Sequence, residues 1–381
     1  MNTIQVEKPL ITQRMARQEI KSLTGLRGIA AFWVILLHYI QLPATNYAFV
    51  KLNLFFRYGN EAVDIFFLLS AVVMCMAYEQ QFSVSISGKD YRSFMIKRVF
   101  RLYPVYIFWM FAFLIIVRKF DFVTLSANLL LIQNLFDYKK YVIAGVFWSL
   151  SSEWMMYFIF PVLIYLFKRI NSNTILLIVM LISLALCTMV PQFNNYYFSI
   201  HGIQKYQHLK LFTIVGTSSV LRCFFCYLMG ISGYLLIQRS NVRKVISMLP
   251  HSNIVFSFVI LLSFFLEMRA AIIFLSLIII LQLCLNENGS IFKQKVIYFL
   301  GKISYSTYLC HVFIISMMSI VLKKFMGELI MIKYQPLVII LAFILVMPIS
   351  YISYLLFEQK ATNWLKAKFL TKKATATSQS T

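Results

Sequence analysis

The chain has 381 residues, of which 60% are hydrophobic and only 13% charged, yet its formal charge is +23. Soluble domains average about 45–50% apolar and about 25% charged residues, so no water-soluble fold can hide this much apolar surface. The basic excess does not indicate a nucleic-acid partner, because Lys and Arg occupy short breaks between apolar runs and do not gather on one face.

The first 25 residues are polar, and no small-x-small cleavage site follows the first apolar run. That run is therefore expected to stay as a helix and not to be removed as a signal, preceded by a cytoplasmic tail over 1–25. Apolar stretches near the about 20 residues that cross a bilayer then recur along the chain. They predict an all-α, polytopic transmembrane helical bundle of about ten spanning helices. The expected spans are 27–43, 59–78, 103–117, 148–167, 174–190, 219–237, 253–267, 270–286, 303–321 and 336–357. One membrane domain, 26–358, results, followed by a cytoplasmic tail, 359–381, whose Thr/Ser/Ala-rich end from Thr371 is expected to be disordered.

Ten spans put both termini on one side. That side collects 23 of the 36 Lys and Arg residues and the other side 13, so both termini are expected in the cytoplasm. The segment 124–136 is apolar but short, and it carries Asn128, Gln133 and Asn134. A span there would reverse the side of every later loop, so it reads as re-entrant or interfacial, with its backbone satisfied by protein or a wet cavity. All six cysteines fall inside or at the edges of apolar stretches, and Cys223-Phe-Phe-Cys226 lacks the βαβ context of a redox motif, so they read as packing residues.

An ionisable side chain at the bilayer centre costs about 2.5–3.5 kcal/mol on insertion scales, so each one needs a partner or a task. On the first helix Arg27 and His38 share a face about 16 Å apart along the axis. Glu61 and Asp64 lie one turn apart near the outer end of the second, followed by Ser70. Trp148, Ser149, Ser152 and Glu153 occupy the outer half of the fourth, with Ser149 and Glu153 on one face. On the ninth, Ser304, Tyr308 and His311 form an i, i+4, i+7 stripe. A lone helical histidine is commonly a packing residue, but here several groups able to handle protons converge on the outer half. On the cytoplasmic side Arg98 and Arg101 precede the third span, with Pro104 suited to its first turn. They read either as topology anchors or, with Arg27, as a fork-like site for phosphates.

These pieces resemble the membrane-bound acyltransferase-3 family, which O-acylates bacterial surface polysaccharides. The likeness runs from Leu23 to Glu358 through Leu23-Thr24-Gly25-Leu26-Arg27-Gly28 with His38, Ala62-Val63-Asp64-Ile65-Phe66-Phe67-Leu68-Leu69-Ser70, Arg98 to Pro104, Phe147 to Glu153, and Leu300 to His311. Two departures stand out. Ala71-Val72 replaces the usual Gly-Phe, and no proline follows Glu358, which is therefore read as structural.

The resemblance implies an enzyme of the bacterial inner membrane that moves an acyl group, acetyl by family habit, from cytoplasmic acyl-CoA to a sugar hydroxyl, with O-antigen as the first acceptor and exopolysaccharide or another envelope glycan behind it. It implies no permanently bound cofactor and no metal. His38 would be the catalytic base or acyl carrier, oriented by Glu153 or Asp64, with Arg27, Arg98 and Arg101 on the CoA phosphates. Trp148, Ser149, Tyr157, Ser304, Tyr308 and His311 would form the substrate site, although packing accounts equally for Trp148 and Tyr157. The rival reading is a glycan or acyl carrier without bond chemistry, for which intramembrane charges would also serve.

Overall fold

The computed structural model describes residues 19–40, 58–117, 120–135, 143–200, 216–265, 268–327 and 334–371. The tail before 19, the ends of the expected spans at 41–43 and 266–267, residue 136 and the tail from 372 lie outside them. All regular structure among the described residues is helical: α1 (Lys21–Ile40), α2 (Glu61–Phe82), α3 (Gly88–Val117), α4 (Phe122–Leu129), α5 (Phe147–Phe167), α6 (Asn173–Ile200), α7 (Thr217–Ile237), α8 (Ser240–Met248), α9 (Ser252–Phe265), α10 (Arg269–Leu285), α11 (Lys295–Met326) and α12 (Gln335–Ser353). Every expected span coincides with one of them. Among the described residues seven helices, against ten expected spans, are long and apolar enough to cross a membrane, with α8 and α9, bent by 66°, an eighth if taken together. The protein is an all-α polytopic membrane bundle.

Burial is unequal. In their most apolar windows α2 and α7 bury 72% of residues, whereas α6 buries 22%. The two central helices also carry most of the buried charge, Glu61, Asp64 and Glu79 on α2 and Arg222 on α7, with Arg98 on α3. Lipid cannot solvate such groups, so they are confined to the interior where protein partners exist.

Helices α1 and α11 run in parallel and meet through glycines. A Cβ on Gly28 would come within 2.5 Å of the Gly301 amide nitrogen, and one on Gly301 would overlap the Thr24 carbonyl. The missing side chains let the two backbones touch, as small residues do at membrane helix contacts. Ten residues further along both helices, His38 and His311 face each other, their rings 5.0 Å apart.

Two local expectations need correction. Helix α3 begins at Gly88, so Pro104 lies inside a 30-residue helix and not in its first turn. Arg98 and Arg101 therefore project from a continuous helix. Proline has no N–H to offer the carbonyl four residues back, and the Phe100 carbonyl instead accepts from the Thr362 hydroxyl at 3.0 Å. The second concerns the last helix, which was expected to end at 357 with a tail from 359. It continues through a π-helical turn, Tyr354–Ala361, and on to Thr371. Such π-turns in helices often mark functional positions, and this one carries Glu358.

Segment 124–136 is not membrane-length. Helix α4 has eight residues, about 12 Å, starts at an Asp121 cap whose carboxylate accepts from the Thr124 amide at 2.6 Å and ends at Leu129, two residues before Leu131, whose φ of 57° turns the chain. Its polar groups are met by α5 and α7. Asn134 donates to the Trp148 carbonyl at 2.6 Å and to Ser219 at 2.8 Å, and Ser151 donates to the Leu131 carbonyl at 2.8 Å. Irregular backbone at membrane depth is tolerated here because protein surrounds it.

Candidate active site

A cavity of about 900 Å³ runs into the bundle between α1, α2, α3, α5, α11 and α12. Of the residues singled out in the sequence, Arg27, Arg98, Arg101, Ser149, Glu153, Tyr157, Ser304 and Tyr308 all line it. At the end nearest the start of α1 it shares Arg27, Val73 and Arg101 with a second cavity of about 1120 Å³, walled further by Glu19, Thr24 and Gln80. The basic residues thus stand where an outer vestibule meets an inner channel.

Arg98 is buried among the rings of Tyr78, Phe94 and Tyr157, with its guanidinium carbon 4.9, 5.6 and 5.6 Å from their centroids. Its Nη2 donates to the Tyr78 hydroxyl at 2.6 Å, while the buried Nε has no partner. Among the described residues none of Arg27, Arg98 and Arg101 has a carboxylate within salt-bridge distance. Lys302 adds a fourth cation to the wall, against two carboxylates, Glu153 and Glu358. Such an excess of positive charge in a confined, partly apolar channel suits an anion chemically. Glu358, read from sequence as structural, also belongs to this wall, held there by the amide and hydroxyl of Ser306 at 3.0 and 2.6 Å.

Glu153 occupies the middle of the channel. One carboxylate oxygen accepts from Ser70 at 2.5 Å and from Tyr157 at 2.8 Å, and Ser70 in turn meets Tyr227 at 2.8 Å. The structure does not bring Glu153 to His38. Nor does Asp64 reach it. Asp64 takes two hydrogen bonds from Arg222, at 2.6 and 2.8 Å, and Arg222 also donates to the Asn60 carbonyl at 2.7 Å. Arg269 lies 3.2 Å from Glu61 and 3.5 Å from Asp64, at ion-pair distance but without hydrogen-bond alignment. Trp148 packs against this cluster, its ring 5.7 Å from the Arg222 guanidinium, and is not in the channel wall.

The residue that does reach His38 is His311. Its Nδ1 faces the carbonyls of Tyr308 and Thr307 at 2.7 and 3.2 Å, and its Nε2 lies 3.3 Å from His38 Nδ1. Carbonyl oxygens only accept, so His311 carries its proton on Nδ1 and its Nε2 is an acceptor. His38 Nδ1 also lies 2.9 Å from the Val34 carbonyl, which places a proton there as well. The network assigns His38 the tautomer with Nδ1–H shared between Val34 and His311, leaving Nε2 with a bare lone pair. The pair sits one helical turn beyond Tyr308, which bonds Ser149 at 2.7 Å at the inner end of the channel. The Ser304, Tyr308, His311 stripe is therefore divided: two residues in the wall, the third against the imidazole.

Sequence reasoning did not single out Arg222 or Arg269. The available signal was an arginine inside an apolar span together with an unmatched acid, Asp64, on another. The Cys187 and Cys226 thiols stand 3.7 Å apart beside Asp64, but the Arg222 guanidinium already neutralises that carboxylate. All six cysteines are free and buried.

A multi-pass membrane bundle with a cationic channel leading toward a paired imidazole defines the class of protein. The profile of the acyltransferase-3 family, described as an acyltransferase domain, matches residues 20–355, and the chain belongs to that family. It is an acyl-transferring membrane enzyme, which removes the reading as a carrier without bond chemistry. No curated protein and no solved structure matches the chain.

Proposed function

We propose that the enzyme moves an acetyl group from acetyl-CoA, entering from the cytoplasmic side where both termini lie, to a hydroxyl of a cell-surface polysaccharide. Lipopolysaccharide O-antigen is the first acceptor to test, with exopolysaccharide or another envelope glycan next. The observation that carries this reading is the His38 imidazole, its Nδ1 anchored by Val34 and His311, one helical turn beyond the Tyr308 wall of a channel that is also lined by Arg27, Arg98 and Arg101.

In the proposed reaction Arg27, Arg98 and Arg101 bind the CoA phosphates as charge-assisted donors. The pantetheine arm extends past Glu153 and Ser70, bringing the thioester to Ser149 and Tyr308. His38 Nε2 takes the proton of the acceptor hydroxyl as its oxygen attacks the thioester carbon, the C–S bond breaks, and the proton passes to the departing thiolate. His311 accepts from His38 Nδ1–H, fixing the tautomer and spreading the positive charge that forms, the role a carboxylate plays in hydrolytic triads. His311 is a positioning residue; His38 is the catalytic one.

The test is transfer of labelled acetyl from acetyl-CoA to a defined O-polysaccharide by protein reconstituted in liposomes. Wild type should label the glycan, and His38→Ala should lose on the order of 10²–10⁴ in rate. Equal transfer by His38→Ala would sink the mechanism. Label trapped on the protein at His38 before acceptor is added would replace the general-base route by an acyl-histidine one. Mass spectrometry of envelope glycans from cells with and without the gene identifies the acceptor.

A further inference from the structure

A third cavity, of about 1770 Å³, lies between α6, α7, α8, α9 and α10 and shares no wall residue with the channel or its vestibule. Its wall contains no Asp, Glu, Lys or Arg, and apolar side chains make up nearly all of it. Helix α8 closes one end. Val242, Val245, Ile246 and Leu249 turn into the cavity at i, i+3, i+4 and i+7, while α9 departs at 66°, so α8 lies across the end of the bundle. A short basic amphipathic helix in that attitude sits at the headgroup level of a bilayer.

The helix that closes it is basic, and the nearest acid on the α2 side, Glu79, is engaged by Lys168, Tyr234 and Gln238. Arg239, Arg243 and Lys244 lie at or on α8, and no Asp or Glu occurs between Glu153 and Glu267, the stretch that contributes α6 to α9. Helix α10 also has none. Arg243 uses part of its fork on the carbonyls of Ile237 and Gln238, at 3.4 and 3.2 Å. Asn173, Thr174 and Asn241 add polar side chains to the same edge of the cavity. We propose that this groove is a binding site for an anionic phospholipid of the leaflet on the N-terminal side. Its acyl chains fill the apolar cavity, its phosphate meets Arg239, Arg243 and Lys244, and its glycerol-region oxygens meet Asn173, Thr174 and Asn241. A zwitterionic phosphatidylethanolamine would bring an ammonium beside Arg239, Arg243 and Lys244, where like charges repel. The site is independent of the acyl-transfer reaction proposed above.

Full-length protein reconstituted in nanodiscs of equal phosphatidylglycerol and phosphatidylethanolamine, then extracted gently for native mass spectrometry, tests it. Wild type should retain phosphatidylglycerol in preference. Arg239→Gln with Arg243→Gln and Lys244→Gln should lose that preference, on the order of fivefold in affinity per charge removed. Val245→Trp, which fills the groove from an exposed position and leaves every basic residue in place, should lower retention of both lipids. Equal retention of the two lipids by wild type overturns the proposal. So does undiminished phosphatidylglycerol preference in the triple variant, or undiminished retention in Val245→Trp. Thermal unfolding of each variant in detergent confirms that the fold is intact before retention is compared.

Discussion

The molecule holds buried arginine in two opposite ways. Near the N-terminal end of α2, Arg222 is fully enclosed but pinned by Asp64 and the Asn60 carbonyl, with Glu61 and Arg269 beside it. Two acids there face two arginines. In the channel wall Arg27, Arg98, Arg101 and Lys302 face Glu153 and Glu358, and among the described residues the arginines have no ion pair. The comparison separates scaffold from site by charge balance. A paired guanidinium ties helices together and leaves no charge for a ligand, whereas an unpaired one in a confined channel is an empty place for an anion.

The largest expected effect breaks the paired cluster. Arg222→Ala removes the hydrogen-bonded partner of Asp64 and leaves Asp64 and Glu61 to share Arg269, and should destabilise the fold by about 3–5 kcal/mol, seen as a lowered melting temperature in detergent. Arg222→Met combined with Asp64→Leu should recover most of it, because removing both charges leaves nothing uncompensated. A single variant as stable as wild type would end the distinction drawn here.

In the channel wall the order of effects reverses. Arg98→Ala with Arg101→Ala should raise the KM for acetyl-CoA at least tenfold, since hydrogen bonds to charged groups are worth about 1.5–3 kcal/mol each. Stability should fall by only about 1 kcal/mol. An unchanged KM would return these residues to membrane anchors. His311→Ala should lower kcat about tenfold, roughly 1.4 kcal/mol, with KM for acetyl-CoA unmoved. In His311→Gln an amide oxygen can still accept from His38, so part of the rate should return; no difference between the two variants would deny His311 its positioning role. The smallest effect is expected from Thr362→Val, which removes the donor to the carbonyl freed by Pro104. It should cost about 0.5–1.5 kcal/mol of stability and leave kinetics close to wild type.

Much of the fold was legible because a bilayer imposes length and apolarity on each crossing element, so each expected span coincides with a helix. The short segment before α5 was legible for the same reason, as its Asn and Gln residues could not face lipid. Helix ends were harder. Pro104 is placed inside α3 by a hydroxyl 258 residues away in the chain, on Thr362, and no local pattern announces such a partner. Within the site, the channel residues on α1, α3, α5 and α11 could be read from spacing, because i, i+3, i+4 and i+7 positions share a face on any helix.

What the sequence determined by itself is the membrane class, the family and the faces of individual helices, since each follows from composition or from neighbours along one helix. Which face meets which was decided only by tertiary structure. Gly28 against Gly301 sets α1 and α11 in parallel register, and that register puts His311, and neither Glu153 nor Asp64, beside His38. Asp64, the second candidate on paper after Glu153, is instead held by a fully buried arginine from α7. Interhelical partners depend on backbone approach and on competition for counter-charge in a low-dielectric interior, and neither is written in the spacing of one helix.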